Sequence, residues 1–311
     1  MSYEAQFLAS IKLVYLGVIL KEVYFLALGA NLCWAMASQV FTFFSRHISS
    51  SWTNCFKALI ALVAFSLYLF VTKTWVGGTF YSAGLLTLSG LLGLAMGDIF
   101  LLKAFSKMGP GRTLILFGFQ PLIMGFFGHF IFNQGMDLSK LYAIIFFILC
   151  LGTFSFESFK KEGEWGVEGL LMAFLGMLLD AGGLVLTRLA FDSQKALTAM
   201  EGNFYRCLGA LLGFFLLSRI RPIKLWDNYK ALSLKLKLYA IGGSLLGTFL
   251  SLALYLRAIQ IGHLASLSGL AITGTLFAAL FECLIERKWP SKYLLISLMF
   301  FLVGMNILLF E

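Results

Sequence analysis

The sequence has few charged residues. Only 13% of its 311 residues are Asp, Glu, Lys or Arg, while 60% are hydrophobic, and the mean hydropathy is +0.89. A soluble domain carries about a quarter charged residues, so this composition excludes a soluble globular protein. Apolar runs of about 20 residues follow one another, long enough to cross a hydrocarbon core of about 30 Å as helices. The runs lack the polar alternation of barrel strands, so we predict an all-α polytopic membrane protein.

The sequence also lacks the motifs of known catalytic chemistry. It contains no HExxH, GxSxG or Walker sequence and no acidic metal cluster, so we expect no catalytic residues, metal or cofactor. The missing Walker sequence excludes an ATP-driven pump for this chain alone. The five cysteines show no metal-type spacing, which indicates small buried side chains. The net charge of +9 suits cytoplasmic loops and anionic headgroups, and we expect no nucleic-acid partner.

Charges, glycines and prolines divide the chain into ten candidate membrane spans. The predicted spans are 23–44, 52–71, 81–102, 113–132, 141–156, 167–189, 202–217, 238–256, 264–285 and 293–310. Residues 1–22 contain a shorter apolar run that holds Lys12 and stops at Lys21-Glu22. This run is too short and too charged to span alone, so we expect an N-terminal lead or an interfacial helix.

One sequence pattern occurs twice, at half the chain length. KAFSKMGPGRTLILFGFQPLIMGFFGHFIF at 103–132 is matched by RAIQIGHLASLSGLAITGTLFAALFECLI at 257–285. Each copy opens with a cation followed by alanine, continues to a glycine turn, and ends in a long apolar helix. Such self-similarity is typical of a duplicated structural unit.

Further matches extend the duplication over the whole chain. Lys57 is matched by Arg206, and Gly93 is matched by Gly247. We therefore predict two five-helix repeats, 23–159 and 167–311, which are joined by a linker at 160–166. An odd number of spans per repeat makes the two repeats insert in opposite directions, as in secondary transporters. Lys57 and Arg206 should then lie at equivalent positions on opposite sides of the membrane.

These features make the chain resemble the EamA branch of the drug/metabolite transporter superfamily. The resemblance rests on the cations Lys57 and Arg206, on the Gly97-Asp98 pair, on Pro121 in the fourth helix and on Glu286. It implies a ten-helix transporter in a bacterial inner membrane that exports amino acids, metabolites or toxic compounds, often by proton exchange.

Two positions depart from the pattern of the family that the chain resembles. Gly274 stands where a second proline is expected, and Asn133-Gln134 stand in place of the glutamate of the first repeat. The departures leave the predicted fold unchanged. They limit how far a transport mechanism can be carried over from the family.

Ionisable side chains within apolar spans are costly and mark pathways or internal pairs. Five such residues are candidates for ion coupling or for buried pairs: Lys57, Arg206, Asp98, His129 and Glu282. Snorkelling to headgroups is the alternative for the two cations. For Asp98 the alternatives are proton coupling and a structural ion pair with Lys103, Lys57 or Arg112. His129 is either a proton carrier or a packed histidine near the interface.

Four further residues are candidates for contact with a substrate. Asn31 and Trp34 share one face of the first helix, Gln120 precedes Pro121, and Asp180 lies near the middle of the sixth span. The alternative for the neutral residues is helix–helix hydrogen bonding and packing.

The leading functional hypothesis is a secondary transporter of a small molecule that works by alternating access around a cavity between the repeats. Protons and membrane lipid are the other expected partners, and the oligomeric state is left open. One alternative is an integral membrane enzyme that acts on a lipid, which requires acids, His or Arg clustered at one membrane face. Another is a membrane partner protein without transport activity, in which the buried polar groups are all structurally paired.

The distribution of cations predicts the orientation in the membrane. One side of the ten-span arrangement carries most of the positive residues: Arg46, Lys103, Lys107, Arg112, Lys160, Lys161, Arg219, Arg221, Lys224, Lys230, Lys235, Lys237, Arg287, Lys288 and Lys292. The side with the termini carries fewer: Lys12, Lys21, Lys73, Lys140, Arg188, Lys195 and Arg257. Loops rich in Lys and Arg stay in the cytoplasm, so the charge bias places both termini outside.

A reporter that fluoresces only in the cytoplasm, fused after Glu311, tests this orientation. The charge bias predicts dark cells, with a fusion to a cytoplasmic protein as the bright control. Bright cells would instead show a cytoplasmic C-terminus, which is the usual arrangement in the family that the chain resembles.

Overall fold

The computed structural model describes residues 3–108, 113, 116–117, 120–133, 138–162, 167–262, 267, 270, 272–285, 287 and 289–309. It describes most side chains from Glu22 onward. Over these residues the regular structure is helical, and no strand occurs among them.

The described residues of the first half form six α-helices and one π-helical segment. The elements are α1 (Tyr3–His47), α2 (Ser50–Thr72), α3 (Phe80–Ser89), the π-helical segment π1 (Gly90–Gly97), α4 (Asp98–Met108), α5 (Gln120–Phe132) and α6 (Leu138–Glu162). α3, π1 and α4 follow one another without a break and form one membrane-length stretch, Phe80–Lys107.

The second half repeats this order and adds one short helix. The elements are α7 (Val167–Ser193), α8 (Ala199–Ile220), α9 (Leu225–Ala231), α10 (Leu234–Ser244), the π-helical segment π2 (Leu245–Leu250), α11 (Ser251–Ile261), α12 (Ile272–Ile285) and α13 (Lys292–Leu309). α9 is the added helix, and α10, π2 and α11 form the second continuous stretch, Leu234–Ile261.

Each predicted span overlaps a described helix, and the prediction of an all-α polytopic membrane protein is confirmed. Five of the described stretches are long and apolar enough to cross a membrane, and shorter apolar helices occur within α5, α6 and α13. One boundary differs from expectation. α1 is continuous from Tyr3 to His47, with no break at residue 22 between a lead and the first span.

The helices that carry the matched cations begin at opposite ends of the bundle. α2 starts at Ser50, directly after α1 ends, whereas α8 starts beside the loop that follows α2. Lys57 and Arg206 each lie about two turns inside the start of their helix. The two cations therefore approach the middle of the bundle from opposite ends, as the inverted arrangement predicts.

A π-helical segment lies at the same place in both repeats. π1 contains Gly93 and π2 contains Gly247, the two glycines that the sequence repeat pairs. The Asn54 side-chain amide donates to the carbonyl oxygens of Leu94 (2.7 Å) and Ala95 (3.3 Å), which ties α2 to π1. π-helical turns are rare in proteins, and those that occur are often found at functional sites. The two segments therefore indicate that the space between them is a candidate site.

Close backbone contact joins the α3–π1 stretch to α8. A Cβ atom on Gly90 would collide with the carbonyl oxygen of Arg206, and one on Gly209 would collide with the carbonyl oxygen of Thr87. Small residues allow membrane helices to approach this closely, and van der Waals contact then holds them together. Glycine at these two positions places the Arg206 backbone directly against the third helix.

We expect Gly209→Ala to destabilise the protein, because its methyl group requires a backbone shift between α3 and α8. Overpacking of this kind costs about 1–3 kcal/mol. Thermal unfolding of the purified protein in detergent measures the effect. Gly182→Ala in α7 is the matched control, since its Cβ would meet no described atom within 4 Å. Equal melting temperatures for both variants would contradict the close contact.

Candidate functional site

A cavity of about 130 Å³ lies in the middle of the bundle, between the repeats. Seven of the predicted site residues line it: Asn31, Trp34, Lys57, Asp98, Gln120, Asp180 and Arg206. They come from α1, α2, α4 and α5 of the first repeat and from α7 and α8 of the second. The structure thus brings together residues that are far apart in sequence, and their roles remain predictions.

Lys57 and Asp98 form an ion pair at one side of the cavity. The Lys57 Nζ lies 2.5 Å from Asp98 Oδ2, and both side chains are buried. The same ammonium lies 4.9 Å from the centroid of the Trp34 ring and 5.1 Å from that of Phe41. Of the partners proposed for Asp98, Lys57 forms this pair, and Arg112 lies outside the described residues. The cation is held by one carboxylate and two aromatic faces rather than by lipid headgroups.

Arg206 is buried to the same degree but is held differently. Its side chain is only 1% exposed, and its Nε donates to Ser89 Oγ at 3.1 Å. Ser89 also bonds to Thr187 and to the carbonyl oxygen of Gly183, which fixes α3 against α7. Arg206 Nη1 is buried without a hydrogen-bond partner among the described residues.

Asp180 also lines the cavity, and no salt bridge joins it to Arg206 within the described part of the chain. Gln120 Nε2 donates to Asp180 Oδ2 at 2.8 Å, so α5 and α7 meet through this contact. In the mirrored position, Asn31 Nδ2 donates to the carbonyl oxygen of Leu270 at 2.9 Å, which ties α1 to the residues that precede α12. Each repeat thus uses a polar residue of its first helix to contact the fourth span of the other.

The two remaining predicted site residues are His129 and Glu282. His129 is exposed on α5, where its ring centroid lies 5.1 Å from that of Phe130, and it does not line the cavity. It lies in the last turn of α5, and its role as a proton carrier or as a packed histidine near the interface stays a prediction. Glu282 belongs to α12, but its side chain lies outside the described part of the chain, as does Glu286.

The sequence reasoning missed several polar residues of the site. Thr248, Ser251 and Tyr255 line the cavity from π2 and α11, and Ser89 supports Arg206 from behind. The positions of these residues in the sequence could have identified them. Thr248 directly follows Gly247, Ser89 lies one turn before Gly93, and the two glycines are matched between the repeats. Hydroxyl groups alone are too common in membrane helices to be selected without this signal.

The arrangement suits binding rather than covalent chemistry. Two cations and two carboxylates surround a small cavity whose remaining wall is mostly apolar. Among the described residues, no three His, Cys, Asp or Glu side chains are grouped as a metal ion would require. A small number of fixed polar groups in an apolar cavity is typical of a small-molecule site.

Comparison with known proteins places this cavity in a known fold. The EamA-like transporter family model matches residues 21–155 and again residues 167–310. No curated protein matches the sequence. A solved structure described only as "Crystal structure of protein" is similar, with a TM-score of 0.73 and 13% identity over 92% of this chain and 96% of that chain. At this identity the structural likeness shows the fold alone, whereas the family match covers nearly the whole chain. The chain belongs to the EamA-like transporter family, and it is a membrane protein of the drug/metabolite transporter superfamily.

Proposed function

We propose that the protein is a secondary active transporter that exports a small metabolite or an amino-acid-like compound across a bacterial inner membrane. The observation that carries the proposal is the central cavity, because buried charged groups from both repeats line the same small space. A site at the interface of inverted repeats is the position from which alternating access operates.

The alternatives fit the cavity less well. A membrane enzyme acting on a lipid needs reactive groups near a headgroup, whereas Asp98, Asp180 and Arg206 lie inside the bundle. A membrane partner protein without transport activity would have all its buried polar groups paired. In the described part of the chain, Arg206 Nη1 and six other buried polar atoms have no hydrogen-bond partner, so the buried polar groups are not all paired there.

One end of the bundle is closed by a polar contact between the repeats. Glu201, in the first turn of α8, accepts hydrogen bonds through Oε1 from the backbone N–H groups of Val76 (3.0 Å) and Gly77 (2.7 Å). Gln194 Nε2 donates to the carbonyl oxygen of Gly77 at 2.9 Å. These bonds hold the loop between α2 and α3 against the start of α8.

The other end is closed by aromatic side chains. Trp52 stacks on Phe56 at 5.1 Å, Phe56 stacks on Tyr229 at 5.2 Å, and Trp52 Nε1 donates to the carbonyl oxygen of Leu225 at 3.1 Å. Trp52 and Glu201 precede the matched cations by the same number of residues, so they are equivalent positions of the two repeats. Alternating access requires that these two contacts open in turn.

Proton coupling would act through the Lys57–Asp98 pair. Protonation of Asp98 would remove the charge that holds Lys57 and would free the ammonium to move against the rings of Trp34 and Phe41. A buried ion pair responds strongly to the loss of one partner, because the remaining charge is left uncompensated. This sensitivity is what a coupling site needs.

Transport by proteoliposomes tests the function, with a panel of radiolabelled amino acids and other small metabolites. We expect saturable movement of at least one compound, driven by a pH gradient and missing from protein-free liposomes. Asp98→Asn should abolish the gradient-driven movement and leave exchange of the compound measurable, because the amide still forms hydrogen bonds but does not titrate. Asp192→Asn is the control, since Asp192 belongs to a half-exposed pair with Arg188 outside the cavity.

Gradient-driven transport that survives in Asp98→Asn would rule out coupling through this residue. A folded protein that moves no compound of the panel under any gradient would count against transport itself. The thermal stability of both variants is measured alongside, because Asp98→Asn leaves Lys57 buried without its partner. If Asp98→Asn is unstable, Lys57→Gln with Asp98→Asn replaces it, since the double variant removes both charges of the pair.

Glu201→Ala should open the polar end of the bundle more often. It removes the acceptor of the N–H groups of Val76 and Gly77, and hydrogen bonds to a charged group contribute about 1.5–3 kcal/mol. Hydrogen exchange of these two amides should accelerate by about tenfold to a hundredfold. Trp52→Ala is the comparison, because it should loosen residues 221–233 at the other end and leave residues 73–79 protected. Equal exchange in both variants would contradict independent end contacts.

A further inference from the structure

A second cavity lies at the end of the bundle that the aromatic contacts of Trp52 close. It is an open cleft of about 760 Å³, and no described residue lines both this cleft and the central cavity. Its wall comes from both repeats. The first repeat contributes the turn between α1 and α2 together with π1 and α4, and the second contributes the end of α8 and residues 221–224. The cleft is therefore a separate site that joins the two repeats.

The charged side chains of the cleft are all basic. His47, Lys103, Arg221 and Lys224 line it, and no Asp or Glu is among its described lining residues. Within the described part of the chain, neither Lys103, Arg221 nor Lys224 forms a salt bridge. Cations that lack counter-ions and share one concave wall create a positive potential, which attracts an anion.

The start of α2 adds neutral donors to the same wall. Ser49 caps the helix: its Oγ accepts from the N–H of Trp52 at 3.0 Å, and its carbonyl oxygen accepts from the N–H of Thr53 at 3.0 Å. The N–H groups of Ser50 and Ser51 come before these two and have no backbone acceptor among the described residues. Ser50 and Ser51 both line the cleft. A helix N-terminus beside several cations suits a phosphate group, which has several oxygens to satisfy.

An apolar surface continues from the basic part of the cleft. Met96 and Phe100 form it on one side, and Leu217 forms it on the other. Met96 is exposed although it belongs to a membrane-length stretch, so this side of the cleft is open to lipid. A small soluble anion would leave the apolar surface uncovered, whereas an acyl chain would bury it. The cleft thus combines features that suit the two parts of an amphiphilic anion.

We propose that the cleft binds the phosphate group of an anionic phospholipid, with the acyl chains against Met96, Phe100 and Leu217. Basic pockets between membrane helices on the cytoplasmic side bind anionic headgroups in this way. The charge bias of the sequence predicts that this end of the bundle faces the cytoplasm. The lipid would contact both repeats and would hold residues 221–224 against the turn between α1 and α2. This site does not depend on the transport function proposed above.

Native mass spectrometry of the purified full-length protein in detergent tests the ligand. Phosphatidylglycerol carries a net negative charge, whereas phosphatidylcholine has the same phosphate and chains but no net charge. We expect the first phosphatidylglycerol to bind at least about tenfold more tightly than the first phosphatidylcholine. Equal affinities for the two lipids overturn the proposal.

Inorganic phosphate distinguishes a lipid from a free anion as the source of the phosphate group. It lacks acyl chains, so an excess should leave phosphatidylglycerol bound when chloride of the same ionic strength serves as the reference. Displacement of the lipid by phosphate, but not by chloride, would show that the cleft takes free phosphate and would overturn the assignment to a lipid.

Arg221→Gln with Lys224→Gln tests the position of the headgroup. Neither side chain forms a salt bridge within the described residues, so the double variant should keep its melting temperature. Its preference for phosphatidylglycerol should fall by at least about tenfold. The control is Arg219→Gln with Lys230→Gln, which removes two exposed cations from the same end of the bundle but outside the cleft. An unchanged preference in the first variant, or an equal loss in both, overturns the site.

Hydrogen exchange in nanodiscs measures what the lipid does, and it requires no substitution. In phosphatidylglycerol, the amides of residues 221–233 should exchange at least about threefold more slowly than in phosphatidylcholine, because a ligand of the folded state opposes local opening. Residues 73–79 at the opposite end are the internal reference and should exchange equally in both lipids. Equal exchange of residues 221–233 in the two lipids would contradict a lipid that joins the repeats at this end.

Discussion

The cost of keeping charges inside an apolar bundle constrains the rest of this structure. Lys57, Asp98, Asp180 and Arg206 all lie at one cavity, where lipid and protein offer little solvation. Each of them is held by groups on other helices: a counter-ion, an aromatic ring, a hydroxyl or an amide. Three contacts therefore fix which helices are neighbours: Lys57–Asp98, Arg206–Ser89 and Asp180–Gln120.

The two repeats have equivalent positions, but different residues occupy several of them. The matched cations are one case, since Asp98 neutralises Lys57 and its counterpart in the second repeat is Leu252. The ends of the bundle are another, with an aromatic residue, Trp52, at one and a carboxylate, Glu201, at the other. The two repeats therefore share one backbone arrangement and place different side chains at equivalent positions.

The third helices combine rigid and adjustable features. The α3–π1 stretch meets α8 with backbones in contact at Gly90 and Gly209, and π1, which begins at Gly90, interrupts the regular α-helical hydrogen bonding there. The matching segment π2 lies on the other side of the cavity and contributes Thr248 to its wall. A change of one turn between α- and π-helical bonding would move cavity residues without loss of the helix as a whole.

The sequence by itself determined the membrane class and the duplication, because hydropathy and short matched patterns are local properties. It also selected seven of the residues that line the cavity, since a polar side chain such as Asp98 or Asp180 is conspicuous within an apolar run. It gave no sign that His129 lies away from the cavity and no reason to select Glu201. Which face of a helix points inward, and which of several cations meets Asp98, depend on neighbours that are distant in sequence. Only the packing of the helices decided these contacts, because rotation about a helix axis by half a turn exchanges an inward-facing side chain for an outward-facing one.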